Sequence, residues 1–296
     1  MTPLLVKDMA LIAGALLIAG YALLSTVALL PKTRALGLDL LRTFFSATLI
    51  VCVLTGLFLL GPLALVPAFA LAALRIGFES ASVRMKDGPA PLLIGILTAG
   101  LTVVATLDDR IAMAVLGVWA LLLVRLIVLP NASNPRTSKS ILDLMVFPVL
   151  PLALLAYGAI QPNLAGLMFA AYLLVEIFDS LALLCGKLFG RTKAFPTLSP
   201  NKTIGGLVGG ALSLIVLTAF GAYLLDQPLG LAALLAVFVG CLAVAGDLAA
   251  SRLKRIGGVK DFPIVFSRQG GLLDSLDSWI AAGAGLIALS LLASLC

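Results

Sequence analysis

The sequence predicts an all-α fold, a polytopic integral membrane bundle of about nine to ten transmembrane helices. Three observations carry that expectation. Of 296 residues, 61% are hydrophobic and 11% charged, roughly half the charge of a soluble domain, and the mean hydropathy is +1.18. Apolar runs long enough to cross roughly 30 Å of hydrocarbon recur along almost the whole chain. None of them alternates in the way barrel strands do, so backbone polarity must be satisfied inside helices.

The elements follow in order from these runs and the basic residues between them. The first, 9 to 30, is about twice the length of a secretory apolar segment and lacks a small-residue cleavage site, so it reads as a retained span. Lys32, Arg34 and Arg42 follow it. Runs 43 to 60 and 62 to 75 come next and lead to Arg75, Arg84 and Lys86. Runs 91 to 106 and 111 to 129 lead to Arg136 and Lys139. Runs 141 to 159 and 164 to 184 lead to Lys187, Arg191, Lys193 and Lys202. Runs 204 to 225 and 229 to 250 lead to Arg252, Lys254, Arg255, Lys260 and Arg268, and 274 to 295 closes the chain. Alternate loops thus hold seventeen of the 20 basic residues. Lys7 and Arg110 fall on the other side, and Arg125 lies within a span. The positive-inside rule puts the basic loops in the cytoplasm and both termini outside, in an inner or plasma membrane.

The net charge of +6 therefore belongs to one face, where it suits anionic lipid headgroups or soluble polyanions. Cys52, Cys185, Cys241 and Cys296 lie far apart, without metal-ligand spacing, and read as small hydrophobes. The absence of histidine excludes Ser-His and Cys-His dyads, histidine bases and histidine metal sites. No linker separates a soluble domain, but the longest polar stretches lie late in the chain. Residues 1–160 are expected to supply N-terminal transmembrane helices and 161–296 the region that carries the chemistry, within one membrane domain.

Intramembrane acids mark that region. Glu176, Asp179, Asp247, Asp274 and Asp277 lie in or at the ends of the last four spans, where a lipid-facing charge costs about 2.5–3.5 kcal/mol at a helix centre. Glu176 and Asp179 are three apart, as are Asp274 and Asp277, so each pair shares a helix face. Asp247, Ser251 and Lys254 follow at intervals of four and three and form a polar stripe. Carboxylates, water and substrate phosphate are the ligands Mg²⁺ prefers. Ser199 to Thr203 reads as a rigid turn before the helix start Gly205-Gly206, whose amides together with Lys202 suit phosphate oxygens. The same residues also read as a capped helix whose glycines, with Gly209 and Gly210, pack closely within one chain or between two. A second loop, Ser251 to Gly271, carries Lys254-Arg255 and Lys260-Asp261 before Gly270-Gly271.

These residues resemble the signature of the phosphatidate cytidylyltransferase family, the CDP-diacylglycerol synthases. Over roughly 170 to 280 the chain repeats its Ser-x-x-Lys-Arg-x₄-Lys-Asp spacing as Ser251, Lys254-Arg255 and Lys260-Asp261. Gly270-Gly271, Asp274 and Asp277 match the following Gly-Gly and Asp-x-x-Asp. Gly246-Asp247 matches the preceding Gly-Asp. Asp179, Gly186-Lys187 with Gly190, and Ser199-Pro200 with Lys202-Thr203 match the upstream elements. The chain departs from the family at Ser267-Arg268-Gln269 (usually Pro-Gly-His), Ser275 (arginine), Ala250 (an acid) and Gly205 (Glu or Gln).

The resemblance implies a nucleotidyltransferase that converts CTP and phosphatidate, or another lipid phosphate, into CDP-diacylglycerol and pyrophosphate in phospholipid biosynthesis. It implies metal ligation first by Asp247 and Asp274, then by Asp277 and Asp179, with Mg²⁺ and room for a second, monovalent cation. It implies phosphate contacts from Lys202, Lys254, Arg255 and Lys260, with Thr203, Ser251 and Asp261 completing the catalytic group and Arg268 replacing the charge absent at Gln269 and Ser275. Membrane lipids are expected partners, nucleic acid is not, and a homodimer stays open. A CTP-dependent polyprenol-type kinase, a non-catalytic lipid- or nucleotide-binding paralogue and a transporter are the alternative readings.

Overall fold

The computed structural model of the chain describes residues 4–85, 91–128, 136–265 and 270–294, except the side chains of 36, 136 and 137. Lys86, Ser267, Arg268, Gln269 and Cys296 lie outside these ranges. Helices α1 (Val6–Leu29), α2 (Arg34–Leu60), α3 (Pro62–Arg84), α4 (Pro91–Ala105) and α5 (Asp109–Val128) are followed by α6 (Arg136–Leu144) and α7 (Leu150–Ile160). Then come α8 (Ala165–Phe189), strands β1 (Lys193–Phe195) and β2 (Ser199–Thr203), α9 (Ile204–Leu224), α10 (Leu229–Ile256) and α11 (Leu272–Ala293).

Among the described residues, nine helical segments are long and apolar enough to cross a membrane, with α6 and α7 counted as one segment, Ser138–Ile160. The chain is an integral membrane protein. At 15 residues, α4 reaches only about 22 Å. Inside Ser138–Ile160 the helix is interrupted at Phe147, whose backbone is extended (φ −158°, ψ 126°) ahead of Pro148, the conformation a following proline favours. Gly61 separates α2 from α3 at φ 76°, ψ −159°, a region open essentially only to glycine, and Pro62 opens α3 where its missing N–H costs nothing.

Ser138–Ile160 and α11 are central, with 78% and 67% of their most apolar stretches buried, against 11% for α1 and α2 and 17% for α5 and α9. Outer helices turn large apolar side chains outward, Leu29 of α1 at 80% exposure, as a lipid solvent permits. Trp279 of α11 anchors the centre. Its indole N–H donates to the Met168 carbonyl at 3.0 Å, and its ring meets Phe58, Phe69 and Tyr172.

Contacts between helix ends fix the alternation of the bundle. Lys187 at the end of α8 pairs with Asp39 near the start of α2 at 3.6 Å. At the opposite face, the Tyr157 hydroxyl of α7 donates to Asp109 of α5 at 2.9 Å. The four-glycine face of α9 packs within the chain: Gly206 and Gly210 lie against Ala182 of α8, Gly209 against Cys185 and Gly205 against Phe189.

Several expected boundaries are corrected. The first turns of α2 reach back to Arg34 and the end of α3 runs on to Arg84, so Arg42, Arg75 and Arg84 are helical rather than in loops. The same holds for Lys139 and Lys187, and for Ser251, Lys254 and Arg255 in the last turns of α10. Hydrogen bonding does not stop where hydropathy falls, and long basic side chains let a helix continue past the hydrocarbon boundary. Ser199 to Thr203 is not a turn but the second strand of an antiparallel hairpin, with Lys193 opposite Thr203 and Phe195 opposite Ser199.

Candidate active site

Five elements converge at one end of the bundle: α3, α8, β2, α10 and α11. The hairpin sets the first cation. Ile204 N–H donates to the Thr192 carbonyl at 3.0 Å, and Thr203 Oγ1 caps α9 by accepting from Gly206 N–H at 3.1 Å. Gly186 and Gly190 leave the room that Thr203 occupies, since a Cβ on Gly190 would collide with its hydroxyl. Thr203 is therefore a buried cap, and the neighbouring Lys202 is directed across α8 and α10. Its Nζ lies 3.2 Å from Asp247 Oδ2 and 4.0 Å from Asp179 Oδ1.

The second approach is between α10 and α11. Gly246 lies against the backbone carbonyl of Asp277, where a Cβ would not fit, and Ser278 Oγ donates to the Ala243 carbonyl at 3.0 Å. This brings Asp247 beside Asp277, which is only 5% exposed and feels the charges of Asp247, Asp179 and Lys254. Asp179, Asp247 and Asp277 thus form one acidic cluster with Lys202 on its edge. Glu176 lies one turn before Asp179 on α8, near Tyr172, whose buried hydroxyl has no aligned hydrogen-bond partner among the described residues.

A second pair stands next to the cluster. Lys254 Nζ lies 2.6 Å from Asp274 Oδ1 and 5.5 Å from the centre of the Phe262 ring. Asp274 Oδ2 accepts from Gly271 N–H at 2.9 Å and Phe262 N–H at 3.0 Å, so this carboxylate ties the α10–α11 connection to the start of α11. Gly270, at φ 85°, makes the turn into it.

The remaining expected residues are placed differently. Ser251 is buried. Arg255, Lys260 and Asp261 are exposed. Arg255 donates to the Val259 carbonyl at 3.3 Å, and Lys260 and Asp261 line a recess with Ser82 and Phe262. These three sit on the rim beside the acids rather than among them.

Sequence reasoning missed Glu79 and Arg75. Glu79 is fully buried, accepts from Leu272 N–H at 3.0 Å and Leu273 N–H at 2.9 Å, and pairs with Arg75 at 2.7 Å. The available signal was an acid four residues after an arginine on an apolar helix. Ending that span at residue 75 hid it.

The donor set bears on a divalent cation. Among the described residues, no three histidine, cysteine or acidic side chains converge as a ready-made cage. Asp274 has both oxygens committed, to Lys254 and two amides. Asp247 Oδ2 is buried with no aligned hydrogen-bond donor; the Lys202 contact is an ion pair off the hydrogen-bonding direction. A carboxylate oxygen so placed, with Asp179 and Asp277 adjoining, fits an ion that takes one or two carboxylates and completes its shell with water and substrate phosphate, as Mg²⁺ does.

Comparison with known proteins places this geometry in context. The profile described as the cytidylyltransferase family matches residues 40–293. The chain is 41% identical over 118 residues to a phosphatidate cytidylyltransferase of Aquifex aeolicus (strain VF5), covering 37% of this chain and 43% of the relative. It is 37% identical over 112 residues to that of Staphylococcus aureus (strain COL) and 35% to that of Staphylococcus haemolyticus (strain JCSC1435), each over 37% of this chain and 43% of the relative. The matched segment therefore spans less than half of each relative's length.

Proposed function

The chain belongs to the cytidylyltransferase family, and from that premise we propose that it transfers the cytidylyl group of CTP to the phosphate of a membrane lipid. Phosphatidate is the first candidate, with CDP-diacylglycerol and pyrophosphate as products. The observation that carries the proposal is the position of Lys202, 3.2 Å from Asp247 and 4.0 Å from Asp179, beside a buried Asp277. Cations and carboxylates held together at a membrane face suit a polyphosphate brought with a metal ion to an anchored acceptor.

In the proposed reaction an oxygen of the lipid phosphate attacks the α-phosphorus of CTP. A new P–O bond forms, the bond between the α-phosphorus and the bridging oxygen to the β-phosphate breaks, and pyrophosphate leaves with that electron pair. The lipid phosphate is already anionic near neutral pH, so a chain without histidine needs no general base. What the protein must supply is in-line placement and charge neutralisation. Lys202 and Lys254 would exchange their carboxylate partners for phosphate oxygens, with Arg255 and Lys260 guiding the nucleotide from the rim. Asp247, with Asp277 and Asp179, would hold Mg²⁺, which when bound offsets charge on the phosphates; Asp274 would set the position of Lys254. Among the described residues, most lysines and arginines lie in or near the connections at the end of the bundle that carries the acids, so we assign this end to the cytoplasm.

The test is transfer itself. Purified protein is incubated with CTP labelled at the α-phosphate, phosphatidate and Mg²⁺, and label is followed into the lipid phase together with pyrophosphate release. The reading expects both, in equal amounts. Release of labelled CDP with no label in the lipid phase would instead identify transfer of the terminal phosphate, and neither product beside an active relative would overturn the proposal.

A further inference from the structure

Glu79 is a buried carboxylate with no role in the reaction just described. Its two oxygens accept the N–H groups of Leu272 and Leu273, the first two donors of α11, where a negative charge also meets the positive end of the helix dipole. Arg75 holds it through Nε at 2.7 Å and donates Nη2 to the Pro263 carbonyl at 2.9 Å. One turn of α3 therefore grips the chain at Pro263 and at Leu272–Leu273, on either side of Gly270-Gly271. Gly271 is pressed against this grip, since a Cβ there would lie 2.7 Å from both Glu79 Oε2 and Phe262 Cβ. Directly beyond it, Asp274 ties Gly271, Phe262 and Lys254 together.

Burying a carboxylate is unfavourable compared with an apolar side chain of similar size, and an apolar residue would pack α3 against α11 equally well. What the carboxylate adds is direction: two fixed acceptors set the rotation and the axial register of the first turn of α11. We propose that Glu79, held by Arg75, is a positioning residue for nucleotidyl transfer, fixing the start of α11 so that Asp274, Lys254 and Asp277 stand in register with Asp247. The proposal rests on the transferase reading. It makes an early helix part of the machinery that the motif residues alone would assign to the second half of the chain.

The test compares Glu79→Gln and Arg75→Lys with wild type in lipid nanodiscs, by steady-state transfer, melting temperature and hydrogen exchange at the Leu272 and Leu273 amides. Glutamine keeps one acceptor and turns an NH₂ against the other amide. Turnover per folded molecule should fall about 10- to 100-fold, the range for residues that orient ligands from behind. KM for CTP should change little, and exchange at 272 and 273 should accelerate. Arg75→Lys keeps the buried charge compensated but loses the fork to Pro263, and should give a smaller loss of the same kind; it serves if Glu79→Gln does not fold. Normal turnover in both variants with a lowered melting temperature would reduce the pair to a structural brace, and unchanged exchange would show that the grip is absent. A wild type that transfers nothing overturns the transferase reading instead, and exchange at 272 and 273 then decides the grip by itself.

Discussion

Lys202 Nζ lies 3.2 Å from Asp247 Oδ2, so a strand of only five residues is tied to the start of the polar stripe on α10. The same ammonium reaches Asp179 on α8 at 4.0 Å. A polyphosphate entering here meets a cation already balanced by two acids, and it must compete with them or arrive with a cation of its own.

Neutralising either side of that contact should therefore damage transfer more than folding. Asp247→Asn and Lys202→Met are each expected to lower kcat by about 100-fold or more, the scale of losing a preorganised electrostatic partner. The check is incorporation of α-labelled nucleotide into lipid, normalised to the folded fraction.

Removing divalent cations should stop transfer, and Mg²⁺ should restore it. If Asp247 and Asp277 hold the ion, Asp277→Asn should shift the Mg²⁺ concentration for half-maximal activity upward by about 10-fold or more. Arg110→Ala, at the opposite end of the bundle, should leave it in place. A Mg²⁺ titration of pyrophosphate release reads both, and equal curves for Asp277→Asn and wild type would remove Asp277 from the metal set.

Arg84 and Asp143 make a buried pair away from the acids, with Nε and Nη2 at 2.9 and 2.7 Å from one carboxylate oxygen and side chains 9% and 4% exposed. Asp143→Ala leaves the arginine uncompensated and should destabilise the protein by about 3–5 kcal/mol, with turnover per folded molecule unchanged. Thermal unfolding of the variant, set beside Arg84→Met/Asp143→Leu, checks this: the double replacement should recover most of the loss.

Gly246→Ala puts a methyl group against the backbone of Asp277, which cannot yield as a side chain would. Overpacking of this kind costs about 1–3 kcal/mol, and it should widen the α10–α11 contact that holds Asp247 beside Asp277. A lowered melting temperature together with reduced transfer is expected. Gly221→Ala, where no atom lies within 4 Å of the added Cβ, should lower neither.

The side of the membrane can be read from Lys260, exposed on the α10–α11 connection. In a variant with the four native cysteines replaced, Lys260→Cys should react with a membrane-impermeant maleimide in inverted vesicles and stay protected in intact cells. Reaction in intact cells would reverse the assigned orientation.

Much of the fold was legible in the sequence because a lipid solvent imposes one strong rule. Each apolar run has to become a helix, and Gly61-Pro62 divides α2 from α3 through conformational limits that operate locally. The boundaries at Arg75, Arg84, Lys254 and Arg255 were misplaced because hydropathy marks the edge of the hydrocarbon, whereas a helix ends where its hydrogen bonds end. The hairpin at Ser199–Thr203 was missed because its pairing with Lys193–Phe195 is set between strands too short and polar to show a period.

For the site, the sequence by itself determined the inventory. Asp179, Asp247, Asp274 and Asp277 stood out because ionisable groups in apolar runs are too costly to be casual, Lys202 and Lys254 because they lie in the polar connections between those runs, and the spacing of Ser251, Lys254-Arg255 and Lys260-Asp261 gave the family. Only the tertiary structure decided how they divide: Asp179 and Asp247 share Lys202 with Asp277 beside Asp247, Asp274 is committed to Lys254 and two amides, and Arg255, Lys260 and Asp261 lie on the rim. It also brought Glu79 to the start of α11. The physical reason is that a carboxylate's role depends on which donors reach its oxygens, and Glu79 meets Leu272 and Leu273 across almost two hundred residues of chain. Spacing along one helix reports a shared face; it carries no information about which helix that face will meet.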